Sequence, residues 1–479
     1  MRSPRAPEPA ATEPSFAEAS RATAQGSKGE PAGEDAAREE ILSWANDTGE
    51  SYFVPALEIV AFNGLLNLFD RTFIDEDEYG SDWELIKDNL GSGSVIDSDG
   101  FSTNQFQHPY SGSIYHTFAR SAGLSYWTSL LYDLGGSAMW EIAGETTLPS
   151  TNDLINTVAG GSFLGEALFR MSSLIVEEGG GDPHWTREVG AAAVAPAAAF
   201  NRHVFGDRFH DVFPSYVPAI STTTRVGGSL DTEFESDAGS RSSSDFEAFA
   251  DFHIEYGLPG KPGYDYDRPF DYFQFEAAGT TSKDAIIETV ISRGLLVGED
   301  YGAGDYRGVW GLFGSYDYVA PRVFRVSTTA LNLGTAGQWW ITDGLSFQGT
   351  GLVGAGYGAA GNVNQGTDER DFHYGVTPQA ILGARLIFGD FMALDLTGGE
   401  YYVSDVASDG GDGSENIARA EASVTFRLFG RHGVGLDYAA SWRDARYTDL
   451  PDRDQSVGIV SVFYAYLSDD KLGAMPHPK

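Results

Sequence analysis

From about Ser221 to Ser468 the chain is built of segments, each roughly ten residues long, in which apolar and polar side chains alternate. Successive side chains of a strand point to opposite faces. Val434, Leu436, Tyr438, Ala440 and Trp442 therefore share one surface, and Gly435, Asp437, Ala439, Ser441 and Arg443 share the other. The pattern recurs where Ala418, Ala420, Ala422, Val424, Phe426 and Leu428 alternate with Arg419, Glu421, Ser423, Thr425 and Arg427. It recurs again from Phe372 to Phe388, with His373, Thr377, Gln379 and Arg385 interleaved. A soluble sandwich needs shorter strands with the charged face outward, whereas a transmembrane barrel puts the apolar face in lipid and the polar face in its lumen. The pattern predicts an antiparallel transmembrane β-barrel over 219–468. It should have about twelve strands, with about ten or about fourteen as alternatives.

The linkers give an orientation. Gly389-Asp390, Gly430 to Gly433 and Thr342-Asp343-Gly344 are tight, while Gly358 to Arg370, Asp405 to Asn416 and Arg446 to Gln455 are long, polar and acidic. Outer-membrane barrels have short periplasmic turns and long extracellular loops, so both termini are expected in the periplasm. The last strand, Val457 to Leu467, is followed by a polar tail over 469–479.

The N-terminal part reads differently. Residues 1–37 have almost nothing to bury against the entropy cost of ordering and are expected to be disordered. Over 38–215 the periodicity is helical, with helices expected at Tyr52 to Phe73, Pro109 to Glu145 (broken near Gly135-Gly136), Thr151 to Glu178 and Val189 to His203. Ser150 is suited to cap the third helix while Asp153 reaches back to it. Twelve tilted strands close a cylinder roughly 24 Å across, which inward side chains narrow to about one helix diameter. A helical unit of this size cannot fit inside. It is expected at the periplasmic mouth, or with one segment plugging the lumen. The fold class is therefore an α+β membrane protein, an N-terminal helical domain followed by the barrel.

Composition narrows the partners. A formal net charge of -38 argues against nucleic acid, because phosphate binding draws on clustered Lys and Arg. With no cysteine, disulfides and thiolate metal sites are excluded. No stretch reaches the roughly 20 apolar residues of a membrane-spanning helix. Val54 to Phe69 and Val189 to Phe200 are short, or are interrupted by Glu58, Asn63 and Pro196. Met1 to Glu30 lacks the apolar run of a secretory signal, so the sequence is expected to be mature, truncated or mis-started.

A string of motifs runs through the helical part. It begins with Asn104-Gln105-Phe106-Gln107-His108-Pro109-Tyr110-Ser111-Gly112-Ser113, then Tyr115, Ala119 and Arg120. It continues through Gly136-Ser137, Trp140-Glu141, Gly144-Glu145, Pro149-Ser150, Asn152-Asp153, Gly160-Gly161, Leu164-Gly165-Glu166 and Arg170. This string resembles the bacterial envelope family known as domain of unknown function 3943. The resemblance implies an envelope or outer-membrane location and a helical module joined to a barrel, and it implies no activity.

Candidate chemistry gathers in the same region. Glu141 and Glu145, at i and i+4, share a helix face and could divide acid and base roles, or hold a divalent metal with His108 or His116. The competing reading pairs them with Arg120 or Arg170 to hold helices in register. His108 is the best general-base candidate, and Glu166 with Arg170 forms an i, i+4 ion pair. Two His one turn apart beside a Glu, the Gly-x-Ser-x-Gly elbow and a phosphate loop are all absent from the sequence. His253 and His373 fall on inward faces, where lumen polarity accounts for them.

The sequence is thus expected to encode a non-enzymatic outer-membrane barrel serving envelope organisation, lipid handling or small-solute passage, without cofactor or metal. Its expected partners are outer-membrane lipid and an envelope protein. The alternatives are a porin and a lipid-modifying hydrolase acting through His108, Glu141, Glu145 and Asp153.

Overall fold

The computed structural model describes residues 50–479, except 97–98, 178–182, 206–214, 216, 236–245, 283–285, 322, 363–371, 407–412, 449–451, 469–470 and 478–479. The segment expected to be disordered lies outside the described residues.

Twelve antiparallel strands close a barrel in sequential order, with β1 (Ile220–Glu235) zipped to β12 (Arg453–Leu467). Between them run β2 (Phe246–Tyr256), β3 (Phe273–Thr280), β4 (Ile287–Ala303), β5 (Tyr306–Val319), β6 (Phe324–Thr342), β7 (Leu345–Asn362), β8 (Phe372–Phe388), β9 (Met392–Val403), β10 (Gly413–Phe429) and β11 (His432–Tyr447). The turns β4–β5, β6–β7, β8–β9 and β10–β11 are tight, and three of them place Gly304, Gly389 and Gly430 at φ of 53°, 55° and 52°, which the tight reversal requires and a side chain resists. All four tight turns lie at the end where β1 begins and β12 stops. The expected strand number and the grouping of short turns at one end are both observed.

The face assignment also holds. Val434, Leu436, Tyr438 and Trp442 are exposed on the outer wall, as are Leu382, Leu428, Val462 and Leu333 from other strands. The opposite face meets itself across the lumen: Arg225 of β1 approaches Glu421 of β10, and Tyr401 of β9 donates to Asp317 of β5 at 3.0 Å. An oily exterior around a polar interior is the arrangement of an outer-membrane barrel.

The helical part comprises α1 (Phe53–Phe73), α2 (Glu76–Tyr79), α3 (Trp83–Gly91), α4 (His108–Ser121), α5 (Tyr126–Ala143), α6 (Thr151–Ile155), α7 (Gly161–Glu177), α8 (Trp185–Val194) and α9 (Pro196–Phe205). The helix expected from Pro109 to Glu145 breaks at 122–125, not at Gly135-Gly136. Gly123 stops α4 at φ 89° and Ser125 caps α5 by accepting from the Thr128 amide. Gly136 lies inside the helix, and Tyr115 and Ile59 pack where its side chain would be. The helix expected at Val189 to His203 is two helices, divided before Pro196, whose ring leaves no amide to continue a helix.

The position of this unit differs from expectation. It occupies neither the mouth nor the lumen but lies against the outer wall across β2–β8. Phe273 and Phe275 of β3, Val290 of β4, Tyr316 and Tyr318 of β5 and Tyr374 of β8 belong to one buried cluster with Phe101, Phe163 and Leu164 of the helical part. Their register neighbours leave no doubt about the face: Tyr316 is the next outward residue but two after Trp310, which is 55% exposed. Sequence alternation marks which face is outward, and the same signal arises whether lipid or a helix covers it.

Candidate functional site

α4 is the centre of the helical part, buried along most of its length between α7, α5 and α9. It crosses α7 with backbones in contact, since a side chain on Gly161 would lie 2.6 Å from the Gly112 Cα. Two π-turns, Thr103–Gln107 and Asn156–Gly160, precede α4 and α7. Such widened turns leave carbonyls open to other partners. Asn156 donates to the Asn104 carbonyl at 3.2 Å, and Tyr316 of the barrel donates to the Gln105 carbonyl at 2.6 Å.

The four candidate residues are all buried, between 2% and 8% exposed, and only three share one place. His108 opens α4, with Nε2 3.9 Å from the Asp153 carboxylate and Nδ1 3.3 Å from the Thr157 hydroxyl. Glu141 approaches from α5 and accepts the Ser150 amide at 2.7 Å. Ser150 caps α6 as expected, accepting the Asp153 amide at 3.1 Å. The carboxylate that takes the Ser150 amide, however, comes from α5 rather than from Asp153. Glu145 turns aside, accepting from the Trp140 indole at 2.6 Å and the Thr147 hydroxyl at 3.2 Å. The cluster abuts the barrel, where the Tyr374 hydroxyl accepts from Gln105 at 3.2 Å and from Asn152 at 3.0 Å.

A second charged network lies deeper. His116 spans Asp133 at 2.7 Å and Glu166 at 3.3 Å. Glu166 also accepts from Arg120 at 2.6 Å and from Arg170 at 2.8 Å, and Arg170 reaches Asp271 of the β2–β3 connection at 2.8 Å. The expected Glu166–Arg170 pair is present. Arg120 and Arg170 pair with Glu166, not with Glu141 or Glu145, because α4 and α7 face each other directly. Among the described residues no group of three or more His, Asp or Glu is arranged to hold a metal ion. Asp133 and Asp271 were not singled out in the sequence. A signal for Asp133 does exist: Ser129, Asp133, Ser137 and Glu141 share one face of α5, opposite Trp127, Leu131 and Leu134.

The lumen is the other candidate. Its middle is charged, with Arg225 on Asp251 at 2.9 Å, Arg293 on Asp317 at 2.9 Å, and His253, Arg385, Arg419 and Glu421 around a cavity of about 180 Å³. His373 faces inward too, 3.1 Å from Glu415. Toward the long loops, Val319, Val326, Tyr401, Ile417, Val457 and Ile459 pack into an apolar collar. Toward the short turns, Ile387, Ala393, Phe463, Ala465 and Leu467 form a second apolar layer that receives Leu472 of the C-terminal tail. Arg385 donates to the Leu472 carbonyl at 3.0 Å, Gln348 to that of Gly473 at 2.9 Å and Trp340 to that of Met475 at 2.7 Å. The tail is thus held in the lumen and is less polar in effect than its composition suggests.

Residues 93–197 match the family model described as domain of unknown function (DUF3943), which covers α4 to α8 and the segment that leads into them. No protein of curated function matches the sequence. Among solved structures the chain is similar to an outer membrane channel from Pseudomonas putida F1, at 9% identity over 52% of this chain and 96% of that one, with a TM-score of 0.26. It is also similar to the outer membrane channel DcaP of Acinetobacter baumannii, at 9% identity over 52% and 96%, TM-score 0.23. The Pseudomonas putida toluene transporter TodX matches at 9% identity over 54% and 91%, TM-score 0.22. Likeness this low is a matter of general architecture, and nothing about cargo passes from those proteins to this one.

Proposed function

We propose that this protein is a bacterial outer-membrane barrel with a closed lumen, and that its work in envelope organisation and lipid handling belongs to the helical module on its outer wall. The observation that carries this reading is the three-layered lumen: an apolar collar, a belt of lumenal ion pairs, and an apolar ring filled by Leu472. A porin keeps a hydrated path through its middle. Here the polar belt is bounded by apolar layers above and below. The grouping of tight turns with the barrel's two chain ends supports a periplasmic position for that rim. In this reading His108, Asp153 and Glu141 hold segments of the module to one another, and Tyr374 fastens the module to the wall through Gln105 and Asn152.

The test is conductance in planar bilayers, for the full chain and for a chain ending at Ser468. Both are expected to be silent, because the collar and the ion pairs survive loss of the tail. Unitary steps from the full chain would make it a porin, and steps from the shortened chain alone would make the tail a gate for small solutes.

A further inference from the structure

Three helices of the module turn polar side chains inward and large apolar ones outward. On α1, Asn63 points inward, where it donates to the Gly136 carbonyl at 3.0 Å and accepts from Tyr115 at 2.5 Å, and Asn67 donates to the Gly144 carbonyl at 2.7 Å. The outward side of the same helix carries Leu57, Val60, Leu65, Leu68 and Phe69, each about half exposed or more. On α5 the buried face holds Ser129, Asp133 and Ser137, while Trp127, Leu131 and Leu134 are exposed. On α9 Asn201 is buried, and Phe200 and Val204 are exposed. A helix on a soluble domain has the reverse arrangement.

We propose that the module is a bilayer element, lying in the hydrocarbon layer beside the barrel with the outward faces of α1, α5 and α9 against lipid chains. It rests on the reading that the barrel's outer wall faces lipid. Continuity carries it: the module is docked on the surface whose uncovered remainder, from Val226 to Tyr466, is the lipid-facing wall. α1 has 21 residues, which gives a length of about 31 Å and matches a hydrocarbon core of about 30 Å. Among the described residues it is the one helix apolar and long enough to cross a membrane, and 22% of that stretch is buried. Glu58 and Asn63, which interrupt its apolar run in the sequence, lie off the outward face, so they do not prevent a lipid contact. Beyond Met1 the large apolar side chains of residues 1–49 are Phe16, Ile41, Leu42 and Trp44.

The absence of cysteine allows the test to be made on the full chain. Single substitutions Leu57→Cys, Leu65→Cys and Leu131→Cys, with Leu436→Cys as the barrel-wall reference, would be spin-labelled and reconstituted in phosphatidylcholine vesicles. Collision with oxygen is expected to exceed collision with a water-soluble nickel chelate at all of the module positions, with the same sign and size as at Leu436. Preferential collision with the chelate at the module positions, while Leu436 stays lipid-like, would overturn the proposal. Dipolar broadening between labels would do so too, by assigning the face to a second copy of the chain. Preferential chelate collision at Leu436 itself would instead sink the reading of the wall, and a conductance result would bear on neither.

Discussion

Ser292, on the outer face of β4, donates a hydrogen bond of 2.7 Å to the carbonyl of Phe163 at the start of α7. A hydroxyl at an outward position finds its acceptor in a helix backbone, and diagonally across on β5 lies Gly314, over which the Phe163 ring lies. The wall is shaped here for a helix, with the small residues Ser292, Gly294 and Gly314 set among the rings of Phe273, Tyr316 and Tyr318.

Gly314→Val should therefore act on the module and spare the barrel. The new side chain meets the Phe163 ring, and overpacking of this kind costs about 1–3 kcal/mol. Hydrogen exchange should show loss of protection in α7, while heat-modifiable migration of the folded barrel is retained.

Glu166→Gln should be the most damaging conservative change in the module. It leaves Arg120, Arg170 and His116 buried around a neutral amide, and breaking a buried ion pair costs about 3–5 kcal/mol. Glu145→Gln, which keeps an acceptor for Trp140, should cost about 1 kcal/mol or less in the same denaturation assay.

Ser150→Ala removes the cap of α6 and should cost about 1 kcal/mol. His108→Ala should leave envelope phenotypes intact at equal expression. Their loss in a variant that still folds would favour the hydrolase.

Leu436→Arg puts a charge on the bare wall and should cost roughly 2–4 kcal/mol in folding into vesicles. Unaltered folding would mean that the outer wall is not in hydrocarbon.

The barrel was legible because a period of two persists through β8, β10 and β11 and because the tight turns carry glycine where the backbone demands it. Ser150 was legible as a cap for a similar local reason. Where the helices would dock was not legible. Gly314, Ser292 and Thr329 interrupt the apolar stripe of their strands, but an interruption has the same appearance whether a helix or a kink causes it. Of the candidate residues, His108, Asp153 and Glu141 do meet. The role of Glu166 as the acceptor for two arginines and a histidine depends on the crossing of α4 and α7, which no local spacing encodes. The inverted faces of α1 and α5 were present in the sequence, yet Glu58 and Asn63 read as breaks in a span until the structure placed them on the inner side.

The seat that receives Leu472 is supplied largely by β12 itself, through Phe463, Ala465 and Leu467. β12 is also the strand whose pairing with β1 completes the wall. The stopper and most of the side chains that seat it therefore lie on one short stretch of chain, 463–472, beside the seam that closes the wall.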